Sequence, residues 1–125
     1  MKDTFEELVQ IMERLRSEDG CPWDREQTLA DMPGHLQDEL DEVKQAIANG
    51  DRANLAEELG DLMFNLVFVT EIARGEGWFT MKDVLTGIRD KIVRRHPHVF
   101  GDAEASTPEE VLVHWNRIKR EEKGG

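Results

Sequence analysis

The feature that most constrains this 125-residue chain is a pair of helical patterns between His35 and Glu71, broken once at Asn49-Gly50-Asp51. A short polar break between two helices turns the chain back on itself, so the pair runs antiparallel. Glu42 and Glu58 each lie eight residues from Gly50, and Glu39 and Asp61 each lie eleven. Folding about Gly50 then sets Glu42 opposite Glu58 and Glu39 opposite Asp61. The i, i+3 spacing inside each pair keeps both acids on one helix face. Four carboxylates converge on one small volume, which repels itself unless protons or cations neutralise it.

The rest of the chain reads as helices around this hairpin. Thr4-Phe-Glu-Glu7 is a capping-box signature for a first helix with the apolar stripe Phe5, Leu8, Val9, Met12 and Leu15. Residues 17–34 are expected to form a long ordered loop, a feature that often carries function. Trp23 within it reads first as a core plug and second as a stacking surface. In the second helix Leu36, Leu40, Val43 and Ile47 form the stripe, with Glu39 and Glu42 on its flank. Asp38 lies within about 40° of Glu42 around the same helix. The third helix, from about residue 52 to 74, is apolar nearly all round over Leu62–Val69. One neighbour cannot bury such a surface, so this helix is placed at the centre and against a second copy of the chain. Gly60, between Glu58 and Asp61, marks either close packing or room for an ion, water or phosphate, at about 1 kcal/mol relative to Ala.

Gly75 and Gly77 stop the third helix, and Thr80-Met-Lys-Asp83 starts a fourth with the stripe Val84, Leu85, Ile88 and Ile92. Its end is basic: residues 81–101 hold five Lys or Arg against two Asp. These cations complement the helix dipole or, through Lys91 and Arg95 at i, i+4, grip a phosphate. His96 and His98 flank Pro97 without a further ligand at zinc spacing, so capping or packing is expected of them. Thr107-Pro108-Glu109-Glu110 opens a fifth helix with the stripe Val111, Leu112, Trp115 and Ile118. Trp115 and Lys119 form either a packing pair or a face for a base and a phosphate. The expected fold is all-α, a bundle of about five helices in one domain over residues 1–125. Its core is completed by homodimerisation, and residues 120–125 are frayed.

Net charge is -11, which argues against a nucleic-acid binder because that function needs a basic face. The single Cys21 allows no intrachain disulfide and fits a reducing compartment. With no charged-then-apolar leader and no apolar run of spanning length, a cytoplasmic protein with no membrane association is expected.

Oxygen ligands without His or Cys suit a hard cation, Mg²⁺ with Mn²⁺ as a substitute. A di-iron bundle would pair Glu with a His three residues on, but those positions hold Glu42, Gln45 and Asp61. No EF-hand loop and no Gly-rich phosphate loop is present. The residues alone therefore lead to a metal-dependent phosphohydrolase on a helical bundle.

At this point the chain resembles the MazG family of all-α nucleoside triphosphate pyrophosphohydrolases. The family pattern Glu-Glu-x-x-Glu, spacer, Glu-x-x-Asp is matched by Asp38-Glu39-Leu-Asp-Glu42, fifteen residues, then Glu58-Leu-Gly-Asp61. The stretches LRSEDGCPWDREQT, ELGDLMFNLVF and KIVRRHPHVFG extend the similarity over most of the chain. The resemblance implies hydrolysis of nucleoside triphosphates to monophosphate and pyrophosphate, clearing surplus or noncanonical nucleotides. It implies Mg²⁺ at Glu39, Glu42, Glu58 and Asp61, with Asp38 or Glu39 activating the attacking water. By position it makes Lys91, Arg95, Trp115 and Lys119 candidates for nucleotide contact, and it implies a homodimer or higher homo-oligomer. Asp38 stands where the family usually has Glu, one methylene longer. Longer members carry two such domains, and this chain resembles the first, standing alone. A catalytically silent nucleotide-binding or interaction module is the alternative.

Overall fold

The computed structural model describes residues 1–124. Among them the elements are α1 (Lys2–Leu15), α2 (Pro22–Glu26), a 3-10 turn (Leu29–Asp31), α3 (Met32–Asn49), α4 (Arg52–Gly75), α5 (Met81–Arg95), α6 (Pro97–Phe100) and α7 (Pro108–Gly124), with no strand. The all-α expectation holds. The chain forms two compact units, Met1–Met81 and Lys82–Gly125.

In the first unit α3 and α4 form the antiparallel hairpin, and α1 packs on α4. The turn is built as its sequence requires. Gly50 takes the left-handed conformation at φ 64°, and the Asp51 side chain caps α4 by accepting the Asn54 amide at 3.1 Å. The core is Met12 of α1, Met32 of α3, and Val67, Phe68 and Ile72 of α4, so α4 is central to this unit. The stripe of α3 is rotated from expectation. Val43 and Ala46 are buried, whereas Leu40 and Ile47 are 42% and 62% exposed. Ala46, too small to stand out in a stripe of large side chains, is fully buried on the inner edge.

The start of α1 also differs. The Met1 carbonyl accepts the Phe5 amide at 3.0 Å and no side chain caps the helix, so it begins before Thr4 and the expected capping box is not formed. The stretch 17–34 is more structured than a loop. Pro22 and Pro33 each sit in a first helical turn, where a missing N–H costs nothing, and so they start α2 and α3. This segment is pinned from α1. Cys21 donates its amide to the Leu15 carbonyl at 2.8 Å, and the Arg16 guanidinium donates to the carbonyls of Asp24 and Gln27. The same guanidinium lies 5.6 Å from the Phe68 ring centre.

In the second unit α7 opens as read: Thr107 Oγ1 accepts the Glu110 amide at 3.2 Å, while the Glu110 carboxylate accepts the Ser106 amide at 3.0 Å. Arg94 and Arg95 of α5 both pair with Glu122 of α7. His96 Nδ1 lies 2.7 Å from the Ile92 carbonyl, the capping role expected of it. The helix α7 runs as far as Gly124, and Gly125 lies outside the described residues.

Candidate functional site

The hairpin brings Glu39 of α3 together with Glu58 and Asp61 of α4. Each offers one oxygen, and the three atoms lie within 4.8 Å of one another. Glu58 is 9% exposed, and Glu39 Oε2 is buried without a hydrogen-bond partner. Glu42 is exposed and stands outside this trio, although its charge acts on both Glu39 and Glu58. Burial holds the Glu39 carboxyl above the usual carboxylate range, and the negative charges of Asp61, Glu42 and Asp38 add to it. Glu58 is raised likewise, by burial first and then by Glu42, Asp61 and Glu39. Among the described residues no Lys or Arg forms an ion pair with any of these acids.

A buried carboxylate oxygen without a partner is unfavourable, and a cation removes that penalty together with the mutual repulsion. The donors are all carboxylate oxygens, which fits a hard divalent cation such as Mg²⁺ or Mn²⁺. Gly60 lies on the exposed side between Glu58 and Asp61, and a Cβ built there would meet nothing within 4 Å. Packing within the chain therefore does not account for this glycine.

Asp38, Glu39 and Asp61 also form one wall of a cavity of ≈ 320 Å³. Trp23, Phe64 and Phe68 supply its aromatic sides, and His35 and Asn65 its polar edge. Trp23 is 54% exposed, so the core-plug reading gives way to a wall, with its ring edge-on to His35 at 5.4 Å and to Phe68 at 6.5 Å. The reason is Pro22, which starts α2 and carries Trp23 on a surface turn rather than inward. A chain of hydrogen bonds fixes the polar edge. Gln27 Nε2 donates to the Trp23 carbonyl at 3.2 Å, and Gln27 Oε1 lies 3.2 Å from His35 Nε2. Asn65 Nδ2 donates to the His35 carbonyl at 3.3 Å, tying α4 to α3. Sequence reasoning passed over His35 and Asn65. The available signal was Asn65 as the one polar residue inside the run Leu62–Val69.

Lys91, Arg95, Trp115 and Lys119 belong to the second unit. There Arg95 is buried, its guanidinium 4.8 Å from the Trp115 ring centre and hydrogen-bonded to Glu122 at 2.7 Å. Lys91 and Lys119 are exposed. Arg95 and Trp115 thus form one stacked pair, and Arg95 carries a carboxylate partner rather than standing ready for a phosphate. The two arginines hold Glu122 below the usual carboxylate range, Arg95 contributing most.

Comparison with known proteins adds the family. Residues 27–100 match the model of the MazG nucleotide pyrophosphohydrolase domain. The chain belongs to this MazG family. It is 48% identical over 120 residues to a nucleoside triphosphate pyrophosphohydrolase of Escherichia coli K12, covering 95% of this chain and 46% of that protein. It is 46% identical over 120 residues to the Thermotoga maritima nucleoside triphosphate pyrophosphohydrolase/pyrophosphatase MazG, with 96% and 46% covered. The MazG domain described here thus spans just under half the length of those relatives. The crystal structure of a mazG-related protein from Thermotoga maritima superposes with a TM-score of 0.79 at 30% identity, over 92% of this chain and 98% of that one.

Proposed function

We propose that this MazG domain is a Mg²⁺-dependent nucleoside triphosphate pyrophosphohydrolase that adds water across the α–β phosphoanhydride, releasing a monophosphate and pyrophosphate. The observation that carries the reading is the Glu39–Glu58–Asp61 trio, with an unpartnered buried oxygen, opening on a cavity in a chain of this family. Glu39, Glu58 and Asp61 hold the ion, and Glu42 adds negative charge beside them. When bound, Mg²⁺ neutralises phosphate charge and polarises the anhydride and the attacking water. Asp38, which lines the same cavity outside the trio, takes the proton from water in this reading, and Glu39 serves as ligand. The resemblance leaves Lys91 and Lys119, both exposed, as candidates for nucleotide contact, whereas Arg95 is engaged by Glu122 and Trp115.

Purified protein incubated with Mg²⁺ and a panel of ribo- and deoxyribonucleoside triphosphates is expected to release monophosphate and pyrophosphate in equal amounts. EDTA is expected to stop it, and excess Mg²⁺ or Mn²⁺ to restore it. Diphosphate plus orthophosphate as products would overturn the bond assignment. Binding without any product would leave a nucleotide-binding module.

The apolar surface left on the hairpin supports a homodimer. Leu59, Met63 and Leu66 of α4 recur at i, i+4 and i+7 and are 45 to 49% exposed, and Leu40 and Ile47 of α3 are exposed as well. Met63→Glu is expected to convert the species seen by light scattering from dimer to monomer, since symmetry places two unpaired charges in one interface. A wild-type protein that is already monomeric would remove the dimer from the reading.

A further inference from the structure

A second cavity, of ≈ 430 Å³, lies in the first unit and shares no lining residue with the acid-lined one. Its walls are Arg16 just past α1, residues 25–30, and Ile72, Glu76 and Trp78 from the end of α4 and beyond. Its volume is within the range of small-ligand pockets, about 300 to 1,000 Å³.

Two arginines face it. A guanidinium carries donors on all three nitrogens. Arg16 spends Nη1 on the carbonyls of Asp24 and Gln27, and its Nε and Nη2 hydrogens meet no acceptor among the described residues. Arg25 donates from Nη1 to the Glu18 carbonyl at 2.8 Å. Among the described residues neither arginine has a carboxylate partner, in a chain with 27 acids against 16 Lys and Arg. Arg16 is half-buried, so water satisfies only part of its charge, and an anion held by both guanidiniums supplies the rest.

The remaining surface is apolar. Ile72 belongs to the core and Leu29 packs against it. The Trp78 ring is 65% exposed, on a turn fixed by left-handed Gly77 at φ 78° and by the Trp78 amide donating to the Ala73 carbonyl at 3.0 Å. A flat or aliphatic body covers this indole together with Leu29 and Ile72. Glu26 and Glu76 line the same cavity and are exposed, so their charge works against a polyanion. A matching ligand has one anionic head, an apolar body and little total charge, unlike a nucleoside triphosphate.

We propose that this cavity binds a small organic anion, a carboxylate or phosphate monoester on an aromatic or aliphatic body, independently of the cation at the acidic trio. Arg16 and Arg25 hold the head and Trp78 stacks on the body.

Phenyl phosphate, benzoate, inorganic phosphate and tripolyphosphate are titrated calorimetrically into the full chain, in Mg²⁺ and again in EDTA. Phenyl phosphate or benzoate is expected to bind at one site per chain with the same affinity in both buffers, and the tighter of the two names the head group. Inorganic phosphate, which lacks the body, and tripolyphosphate, which carries excess charge, are expected to bind about tenfold more weakly or worse in EDTA. Arg25→Gln, at an exposed position, is expected to weaken the organic anion about tenfold, the size of one charge-assisted hydrogen bond. Trp78→Ala is expected to weaken it by a similar factor, with the helical circular-dichroism signal retained in both variants. Binding that requires Mg²⁺ would put the anion at the acidic trio and overturn the proposal. So would an affinity unmoved by either variant, equal affinity for inorganic phosphate, or no binding of either organic anion. Turnover plays no part in these readouts, so a failure of the hydrolase reading leaves the site standing.

Discussion

Glu58→Gln is expected to abolish turnover and, at the same time, to make the metal-free protein more stable. Both effects follow from one geometry. Glu58 is nearly buried, faces Glu39 and Asp61 within 4.8 Å, and has no cationic partner among the described residues. Its folded-state pKa, like that of Glu39, is raised, first by burial and then by the neighbouring acids. A carboxyl with a raised folded pKa binds protons more tightly folded than unfolded, so stability falls as pH rises from the ordinary Glu range through the raised values. The metal-free wild type should therefore lose stability across that window, where Glu58→Gln, which does not titrate, shows a shallower slope. At neutral pH Mg²⁺ should raise the wild-type melting temperature and the variant's much less, because a ligand that binds only the folded state stabilises by mass action. Turnover should drop by about 10³-fold or more, since the cation's share of transition-state stabilisation is several kcal/mol. Asp61→Asn should likewise lose turnover and most of the Mg²⁺-induced rise in melting temperature. A Glu58→Gln protein with full activity, or with an unchanged Mg²⁺ shift, would remove the trio as the metal site.

How much of this was legible in the chain divides along physical lines. The hairpin was legible because Asn49-Gly50-Asp51 is local chemistry: a left-handed glycine and an aspartate cap need no distant partner. The convergence of Glu39, Glu58 and Asp61 followed from equal distances to that turn. The departure of Glu42 from the tight group did not, because it depends on which edge of α3 is buried. Ala46 sets that edge, and a small side chain carries almost no periodic signal. The cavity was hidden for a related reason. Trp23 was in view, but its exposure depends on α2, a five-residue helix too short to leave a periodicity. His35 and Asn65 meet through a backbone carbonyl thirty residues away in sequence, and no pattern of residue types records that contact. Across Lys91, Arg95, Trp115 and Lys119 the sequence indicated basic and aromatic character. The pairing of Arg95 with Glu122 is a tertiary contact between α5 and α7 and was not readable from either helix alone.

Gly20→Ala is expected to be among the most damaging single substitutions in the chain outside the acids, with no charge or core volume removed. The connection from α1 to α2 folds so tightly that a Cβ at residue 20 would stand 2.2 Å from the Arg14 carbonyl oxygen and 2.3 Å from that of Leu15. Both obstacles are backbone, so no side chain can swing aside. Relief requires lifting residues 17–21 off the end of α1. That motion breaks the bond from the Cys21 amide to the Leu15 carbonyl and displaces the carbonyls of Asp24 and Gln27 from Arg16. A loss of about 3 kcal/mol is expected in urea unfolding. Gly60→Ala is the matched control: the added methyl meets nothing within 4 Å and gains about 1 kcal/mol of helix propensity. If Gly20→Ala melted with the wild type, the pinned connection would not be what positions Trp23, and the wall of the cavity would have to be held by the Gln27–His35 contact instead.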